Sequence, residues 1–375
     1  MKIAIDAYQM ATEGRVGTTT YIYNTVKNIL ENNQKNQTLL YAPGDILDEY
    51  TLPSAKSKIL PTFISWTQVS LLLELLRNNP DVILLPRQTL PVLYRPVRKL
   101  LRVATLGRYR GTKLVSVIHD ISGGWMRYGP TFATCVLSDQ IVAVSQSTKK
   151  DMVSAFKIPE DKVQVIYEGL DESIFKAGPK DVSMIKEKYS ENCDYVLYVG
   201  SLIKRKNLDR LIEAFAQVKE SELVAEKYPK LKLVLAGGYD PKNKYAEQLL
   251  EKVSVAKDVI YVGKVPQEEL GALYSGALVT ALVSLKEGFG LTILESQACG
   301  TPVLTSNISS MYEISDNSCM HCNPYDTHSI NNTMQEIILN DPLKTELITR
   351  GLKNIKKYNW GSSASSLVRL MSKIP

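Results

Sequence analysis

The 375-residue sequence contains no run of 18 apolar residues, so nothing in it reads as a membrane-spanning helix. Its five cysteines are few, odd in number and scattered, which argues against a disulfide framework and for a reducing compartment. There is no low-complexity segment and no short tandem repeat. Neither sign of charge dominates: 45 Lys+Arg against 39 Asp+Glu leaves a net +6. That balance is compatible with an anionic ligand or membrane surface without demanding either, and no nucleic-acid partner is expected. With 44% hydrophobic and 22% charged residues, the composition is that of a globular chain and excludes a disordered one. The start, Met1-Lys2-Ile3-Ala4-Ile5-Asp6-Ala7, enters a strand at once, so no signal peptide is expected. The protein is therefore read as cytoplasmic, with a peripheral place on the inner face of the membrane left open.

What is present is alternation. Ile3–Ala7, Val82–Leu85, Leu114–Ile118, Ile141–Val144 and Val163–Ile166 read as short buried strands in the first half. Tyr195–Val199, Leu231–Ala236, Val259–Val262, Val279–Val283 and Val303–Thr305 repeat the pattern in the second. Amphipathic stretches such as Thr18–Leu30, Ser70–Leu76 and Asn207–Val218 lie between them. This order predicts an α/β protein with two doubly wound domains and ligands at the carboxyl ends of the strands. The boundary is expected within Asp171–Ser190, where Lys176-Ala177-Gly178-Pro179-Lys180 reads as a linker.

The most informative stretch is Lys286-Glu287-Gly288-Phe289-Gly290-Leu291-Thr292-Ile293-Leu294-Glu295, after the apolar run Val279–Ser284. Gly288 and Gly290 allow positive φ and close approach of a ligand. Leu291, Leu294 and Ala298 recur at helical spacing, so a helix is expected from about Gly290. Its N-terminus would offer unpaired N–H groups and a positive dipole end. Glu287 and Glu295 only accept hydrogen bonds and suit a ligand rich in hydroxyls, such as a nucleotide sugar. Gly300-Thr301-Pro302-Val303-Leu304 then turns into another strand.

Glu-x7-Glu with its internal Gly-Phe-Gly, followed by Ala298-Cys299-Gly300-Thr301-Pro302-Val303, resembles the retaining family-4 (group 1) glycosyltransferases of the GT-B superfamily. The resemblance implies two Rossmann-like domains facing a cleft. Residues 1–175, completed by a terminal helix in 358–375, would form the acceptor-side domain, and residues 176–357 the nucleotide-sugar donor domain. It implies that Arg205 and Lys206, in Gly200-Ser201-Leu202-Ile203-Lys204-Arg205-Lys206, meet the donor diphosphate. Arginine would supply a rigid fork of donors and lysine a point charge. Glu287 and the backbone of Gly288, Phe289, Gly290, Leu291 and Thr292 would hold the sugar, and Glu295 the ribose diol. Gly200 and Gly237 end strands at the same site.

In the first half, Leu114-Val115-Ser116-Val117-Ile118-His119-Asp120 matches a strand whose terminal histidine contacts the donor sugar in relatives, which puts His119 among the catalytic candidates. The loop Glu13-Gly14-Arg15-Val16-Gly17 lies where relatives carry an adjacent glycine pair near the diphosphate; here only Gly14 and Gly17 are present. Val165-Ile166-Tyr167-Glu168-Gly169 carries Glu168 where relatives have asparagine. No Asp-x-Asp occurs anywhere, which argues against a metal-held diphosphate. Cys319-Met320-His321-Cys322 has no second ligand pair, so no metal site is expected. No cofactor is expected beyond the nucleotide-sugar donor substrate, with a glycan or lipid-linked acceptor as its partner. The basic stretch 94–113 reads either as a solvated helix face or as a surface for anionic lipid. Two other functions stay open: a GT-B nucleotide-sugar epimerase or hydrolase, and a non-catalytic partner subunit.

Overall fold

The computed structural model describes residues 1–13, 17–32, 35–62, 64–121, 125–171 and 178–374. The expected boundary at 175 and 176 and the glycine Gly14 lie outside the described residues. The chain divides into two compact units, Met1–Gly169 with Asn359–Pro375, and Leu170–Tyr358.

The first unit is built on a parallel seven-stranded sheet in the order β3-β2-β1-β4-β5-β6-β7. Its strands are β1 (Lys2–Asp6), β2 (Gln37–Ala42), β3 (Lys56–Ile59), β4 (Val82–Leu85), β5 (Lys113–Ile118), β6 (Gln140–Ala143) and β7 (Val163–Val165). The central strands β1 and β4 are almost wholly buried, as continuous apolar runs must be when helices cover both faces of a sheet. Two strands, β2 and β3, add to those expected. β3 reads Lys-Ser-Lys-Ile and is largely exposed at the sheet edge, where no apolar run is needed to hold it. The terminal helix Trp360–Lys373 belongs to this unit and packs on the helix Gly17–Asn32. Trp360 meets Tyr21 edge-on at 5.7 Å, and Ser363 Oγ donates to the Tyr167 carbonyl at 2.5 Å.

The second unit carries a parallel six-stranded sheet in the order β10-β9-β8-β11-β12-β13. Here the strands are β8 (Tyr195–Val199), β9 (Lys232–Ala236), β10 (Val259–Gly263), β11 (Val279–Leu282), β12 (Val303–Ser306) and β13 (Met320–Cys322). β13 places Cys319–Cys322 at the sheet edge, with His321 Nε2 2.7 Å from Ser315 Oγ. The linker reading needs one correction. Pro179–Ser190 is a helix, opened by Pro179 in its first turn, where the missing N–H costs nothing. The Gly178 N–H donates to Asp181 Oδ2 at 2.8 Å and closes that end.

In each sheet the strand order reverses once, between β1 and β4 and between β8 and β11. Loops leaving the carboxyl ends of such a pair part to opposite sides and open a crevice, the usual ligand site of open α/β sheets.

Candidate active site

At the second reversal a buried carboxylate gathers two cations. The turn after β8 runs through a single 3-10 turn, Lys204–Lys206, and reverses at Asn207 (φ 62°) into the helix Leu208–Glu220. Asn207 Nδ2 donates to the carbonyls of Val283, at 3.0 Å, and Pro324, at 2.7 Å, which ties the basic turn to the loop after β11. Arg205 Nη1 reaches Glu287 Oε2 at 3.0 Å and the Lys286 carbonyl at 2.8 Å. Lys206 Nζ reaches Glu287 Oε1 at 2.5 Å, and Ser284 Oγ donates to the same oxygen at 2.7 Å. The main chain at Glu287 is held too, its carbonyl accepting from Ser309 Oγ and Ser310 Oγ, both at 3.0 Å.

Burial by itself raises the pKa of Glu287. The charges of Lys206 and Arg205 and the bonds from Lys206 and Ser284 outweigh it, so the carboxyl is held below the usual range. Two cations on one anion leave a net +1 at the mouth of the turn (+2 − 1).

Gly290, at φ 112°, turns the chain into the helix Leu291–Ala298, and no side chain caps its start. The first N–H groups, those of Leu291 and Thr292 among them, open this helix and carry its positive dipole end. Gly288 lies between Glu287 and Phe289, whose ring is buried edge-on against Tyr358 at 5.6 Å. Any part Phe289 plays toward a ligand is therefore through its backbone. One turn into the helix, Glu295 Oε2 accepts from Tyr274 Oη at 2.7 Å. Burial first, and then the Glu295 charge, push the Tyr274 hydroxyl well above its ordinary range and keep it a donor.

The glycine turns after β8 and β9 meet each other. Gly237 (φ 143°) lies so close that a Cβ there would stand 2.0 Å from the Gly200 carbonyl oxygen, which only glycine tolerates. Arg205, Lys206, Glu287 and Glu295 thus come together with Gly200, Gly237 and Gly290 on the carboxyl ends of adjacent strands of one unit.

His119 and Gly17 belong to the other unit. Gly17 is the exposed first residue of the helix Gly17–Asn32. His119, just past β5, is engaged on both ring nitrogens. Nε2 lies 3.1 Å from the Pro86 carbonyl and Nδ1 3.3 Å from Glu168 Oε1, and the ring meets the Tyr21 ring at 4.9 Å. A carbonyl only accepts, so the Nε2 contact is a hydrogen bond when that nitrogen carries the proton. Glu168 is thereby buried as the partner of His119.

Comparison with known proteins bears on the family and the fold. The family model described as "Glycosyl transferases group 1" matches residues 180–354, and that described as "Glycosyltransferase Family 4" matches residues 17–174. The two matches together take in most of the chain, which is thus placed among the glycosyltransferases of group 1 and family 4. Among curated relatives, an uncharacterized glycosyltransferase of Methanocaldococcus jannaschii is 29% identical over 65% of this chain and 62% of its own length. O-antigen chain mannosyltransferase B of Escherichia coli is 27% identical over 61% of this chain and 59% of its own. The chain thus spans about three-fifths of the length of these relatives. Among solved structures, Anabaena HepE in complex with UDP and glucose superposes with a TM-score of 0.76 at 18% identity, covering 99% of both chains. WaaG, a glycosyltransferase involved in lipopolysaccharide biosynthesis, gives 0.70 at 15% identity over 99% of this chain and 100% of its own. At such identities the likeness shows the fold, two Rossmann-like α/β halves.

Several contributors to this site carry no sequence signal of their own. Ser284, Ser309 and Ser310 bond to Glu287 from positions where a serine ordinarily caps or fills a turn. Tyr274 reads as one more apolar residue of its helix until its hydroxyl is seen on Glu295. Among the described residues no cluster of three or more His, Cys, Asp or Glu could hold a metal, and no helix is long and apolar enough to cross a membrane.

Proposed function

We propose that this chain is a retaining, metal-independent glycosyltransferase that moves a sugar from a nucleotide-diphosphate sugar to a hydroxyl of a glycan or lipid-linked acceptor in polysaccharide assembly. The observation that carries the proposal is the buried Glu287 holding Arg205 and Lys206 beside the uncapped start of the helix Leu291–Ala298. In the reaction, the bond from the sugar C1 to the diphosphate oxygen breaks, and C1 bonds to the acceptor oxygen on the same face. The acceptor proton leaves with the diphosphate. Arg205, Lys206 and the helix N–H groups stabilise the negative charge that grows on the leaving group. Positioned by the protein fold, they do so without reorganising. Glu287 and the backbone of Gly288–Leu291 hold sugar hydroxyls, and Glu295, oriented by Tyr274, takes the ribose diol. The missing Asp-x-Asp supports a cation clamp rather than a metal. The names of relatives, an O-antigen mannosyltransferase and a neighbour bound to UDP and glucose, support the substrate class.

A peripheral contact with anionic membrane belongs to the same proposal. The helix Tyr94–Ala104 exposes Lys99 and Arg102, with Arg98 taken up by Asp139, while Leu100, Val103 and the following Leu106 are 68%, 69% and 92% exposed. Such a face suits a headgroup layer.

The test is release of nucleotide diphosphate from a panel of UDP- and GDP-sugars. The wild type is expected to hydrolyse one donor slowly, with Lys206→Ala slower by about 100-fold, the equivalent of roughly 3 kcal/mol of lost transition-state stabilisation. Unchanged turnover in Lys206→Ala at saturating donor would overturn the clamp.

A further inference from the structure

A cluster of like charge lies at the far end of the first sheet from its strand-order reversal. No Asp or Glu occurs between Tyr94 and Lys113, a stretch that folds as the helix Tyr94–Ala104 and the loop leading into β5. Its cations converge on a cavity of about 380 Å³, lined by Arg95, Arg98, Lys99, Arg102, Arg110 and Lys113. Lys113 opens β5 and Asp139 directly precedes β6, so the cavity sits at the amino ends of these strands. Ligands of open α/β sheets enter at the carboxyl ends, which separates this cavity from the sugar chemistry proposed above.

The floor of the cavity is held in place. Arg98, its side chain only 15% exposed, donates from Nη1 and Nη2 to the two oxygens of Asp139, each at 2.7 Å. Its Nη1 also reaches the Thr112 carbonyl at 2.7 Å, and Asp139 accepts from the Leu114 N–H at 2.8 Å. Gly111, at φ 73°, lets the loop pass over the Arg98 stem, where a Cβ would stand 2.5 Å from Cγ and Cδ. Arg95 Nη1 and Lys162 Nζ both donate to the Val136 carbonyl at 2.8 Å. Burial first, and then the charge of Arg95, hold Lys162 below the ordinary lysine range, a mark of how closely the cations crowd. Against the six lining cations, Asp139 on Arg98 supplies one negative charge, a balance of +5 (6 − 1).

Crowding of this kind does nothing for the fold, because like charges repel. A multiply charged anion would relieve it. Arg102 and Arg110 offer planar forks that match phosphate oxygens in pairs, and Lys99 and Lys113 add point charges. No aromatic ring lines the cavity, so a base has nothing to stack on, and the volume is that of a small ligand. We propose that this cavity binds a phosphate dianion, presented by a lipid headgroup or by a free phosphate compound. The cavity stands on its own charges, and only the lipid source rests on the membrane contact proposed above. That source is favoured by Leu100, Val103 and Leu106, exposed on the same helix and the turn after it.

The experiment measures binding of inorganic phosphate and glycerol 3-phosphate to the full chain by calorimetry, and binding of the chain to vesicles by flotation. The vesicles carry phosphatidic acid, a phosphomonoester, or phosphatidylglycerol, a phosphodiester, at equal surface charge. Wild type is expected to bind a soluble phosphate, or to prefer phosphatidic acid. Arg102→Gln and Arg110→Gln should each weaken that binding roughly 10-fold, as loss of a charge-assisted bond requires. Both side chains are exposed, so the thermal midpoints should match wild type. Lys206→Ala at the donor turn, and Lys356→Gln on exposed surface of the second unit, should leave it unchanged. Soluble binding without a vesicle preference identifies a free phosphate ligand, and a preference for phosphatidic acid alone identifies a headgroup. Silence of both soluble phosphates with no preference between the vesicles would overturn the site, while vesicles bound equally well would still support the membrane contact. Binding abolished by Lys206→Ala, or weakened as much by Lys356→Gln as by the arginine variants, would overturn it too. Soluble binding that depends on Arg102 and Arg110, with no vesicle bound, would sink the membrane contact and keep the phosphate site.

Discussion

The two strand-order reversals of this molecule carry the same ingredients and treat them in opposite ways. Each has a buried carboxylate and at least one guanidinium at the carboxyl ends of a parallel strand pair. At β8 and β11, Glu287 is met by Arg205, Lys206 and Ser284 at 2.5–3.0 Å, and its carboxyl is held below the ordinary range. At β1 and β4, Asp6 faces Arg87 across 3.9 Å with one oxygen unbonded, and its carboxyl is pushed up. The first arrangement is complete in its hydrogen bonds, while the second leaves one carboxylate oxygen without a partner among the described residues. A satisfied network makes a rigid platform for charge, and an incompletely satisfied one costs the fold stability.

The largest effect is expected where the network is complete. Glu287→Gln removes the common partner of two cations and leaves them facing a neutral amide. Breaking a buried pair in this way costs about 3–5 kcal/mol, so thermal unfolding should show a clear loss of stability. The pH dependence sharpens the point. Because Glu287 has a depressed pKa, its stabilising effect is present above the ordinary value of 4.5 and is lost as pH falls through the lower folded value. The acid side of the stability profile should therefore flatten in Glu287→Gln. A midpoint unchanged across the acid range would mean that the ion pairs contribute nothing, and the contrast between the two reversals would fail.

Next comes the hydrogen bond that aims Glu295. Tyr274→Phe deletes a buried donor to a carboxylate and should weaken nucleotide binding by roughly 1–2 kcal/mol, with Glu295→Gln weakening it by 1–3 kcal/mol. Calorimetry with UDP and GDP measures both. Equal affinity in Glu295→Gln would remove Glu295 from the donor site.

The smallest effect, and the one of opposite sign, is expected at Asp6. Its raised pKa means that the ionised form is disfavoured in the folded chain, fully so above the folded value and relieved as pH falls. Asp6→Asn should therefore leave the thermal midpoint at neutral pH equal to or above that of the wild type. A marked drop would show that Asp6 is a structural ion-pair partner after all and would erase the difference between the two reversals.

Much of this arrangement was legible before any coordinates. Strands such as Val82–Leu85 and Tyr195–Val199 must be buried on both faces, so an uninterrupted apolar run announces them. The edge strand Lys56–Ile59 announces nothing, because its pairing is by main chain and its side chains stand in water. Pro179 reads as a breaker in isolation and proves to be a helix start, a matter of position rather than composition. The basic trio and the two glutamates were visible as types at a spacing. That Arg205 and Lys206 both close on Glu287 was not, since residues 81 and 82 positions apart meet only when β11 is laid against β8.

The sequence alone determined the α/β architecture, the glycine turns and the types of residue that gather after β8 and β11, because periodicity, turn chemistry and side-chain type are local properties. Tertiary structure decided which polar groups are satisfied. Burial and partnership depend on where distant strands bring their ends, and so Glu287 is a finished ion pair, His119 is bound to Glu168 and Pro86, and Asp6 has one oxygen without a hydrogen-bond partner among the described residues.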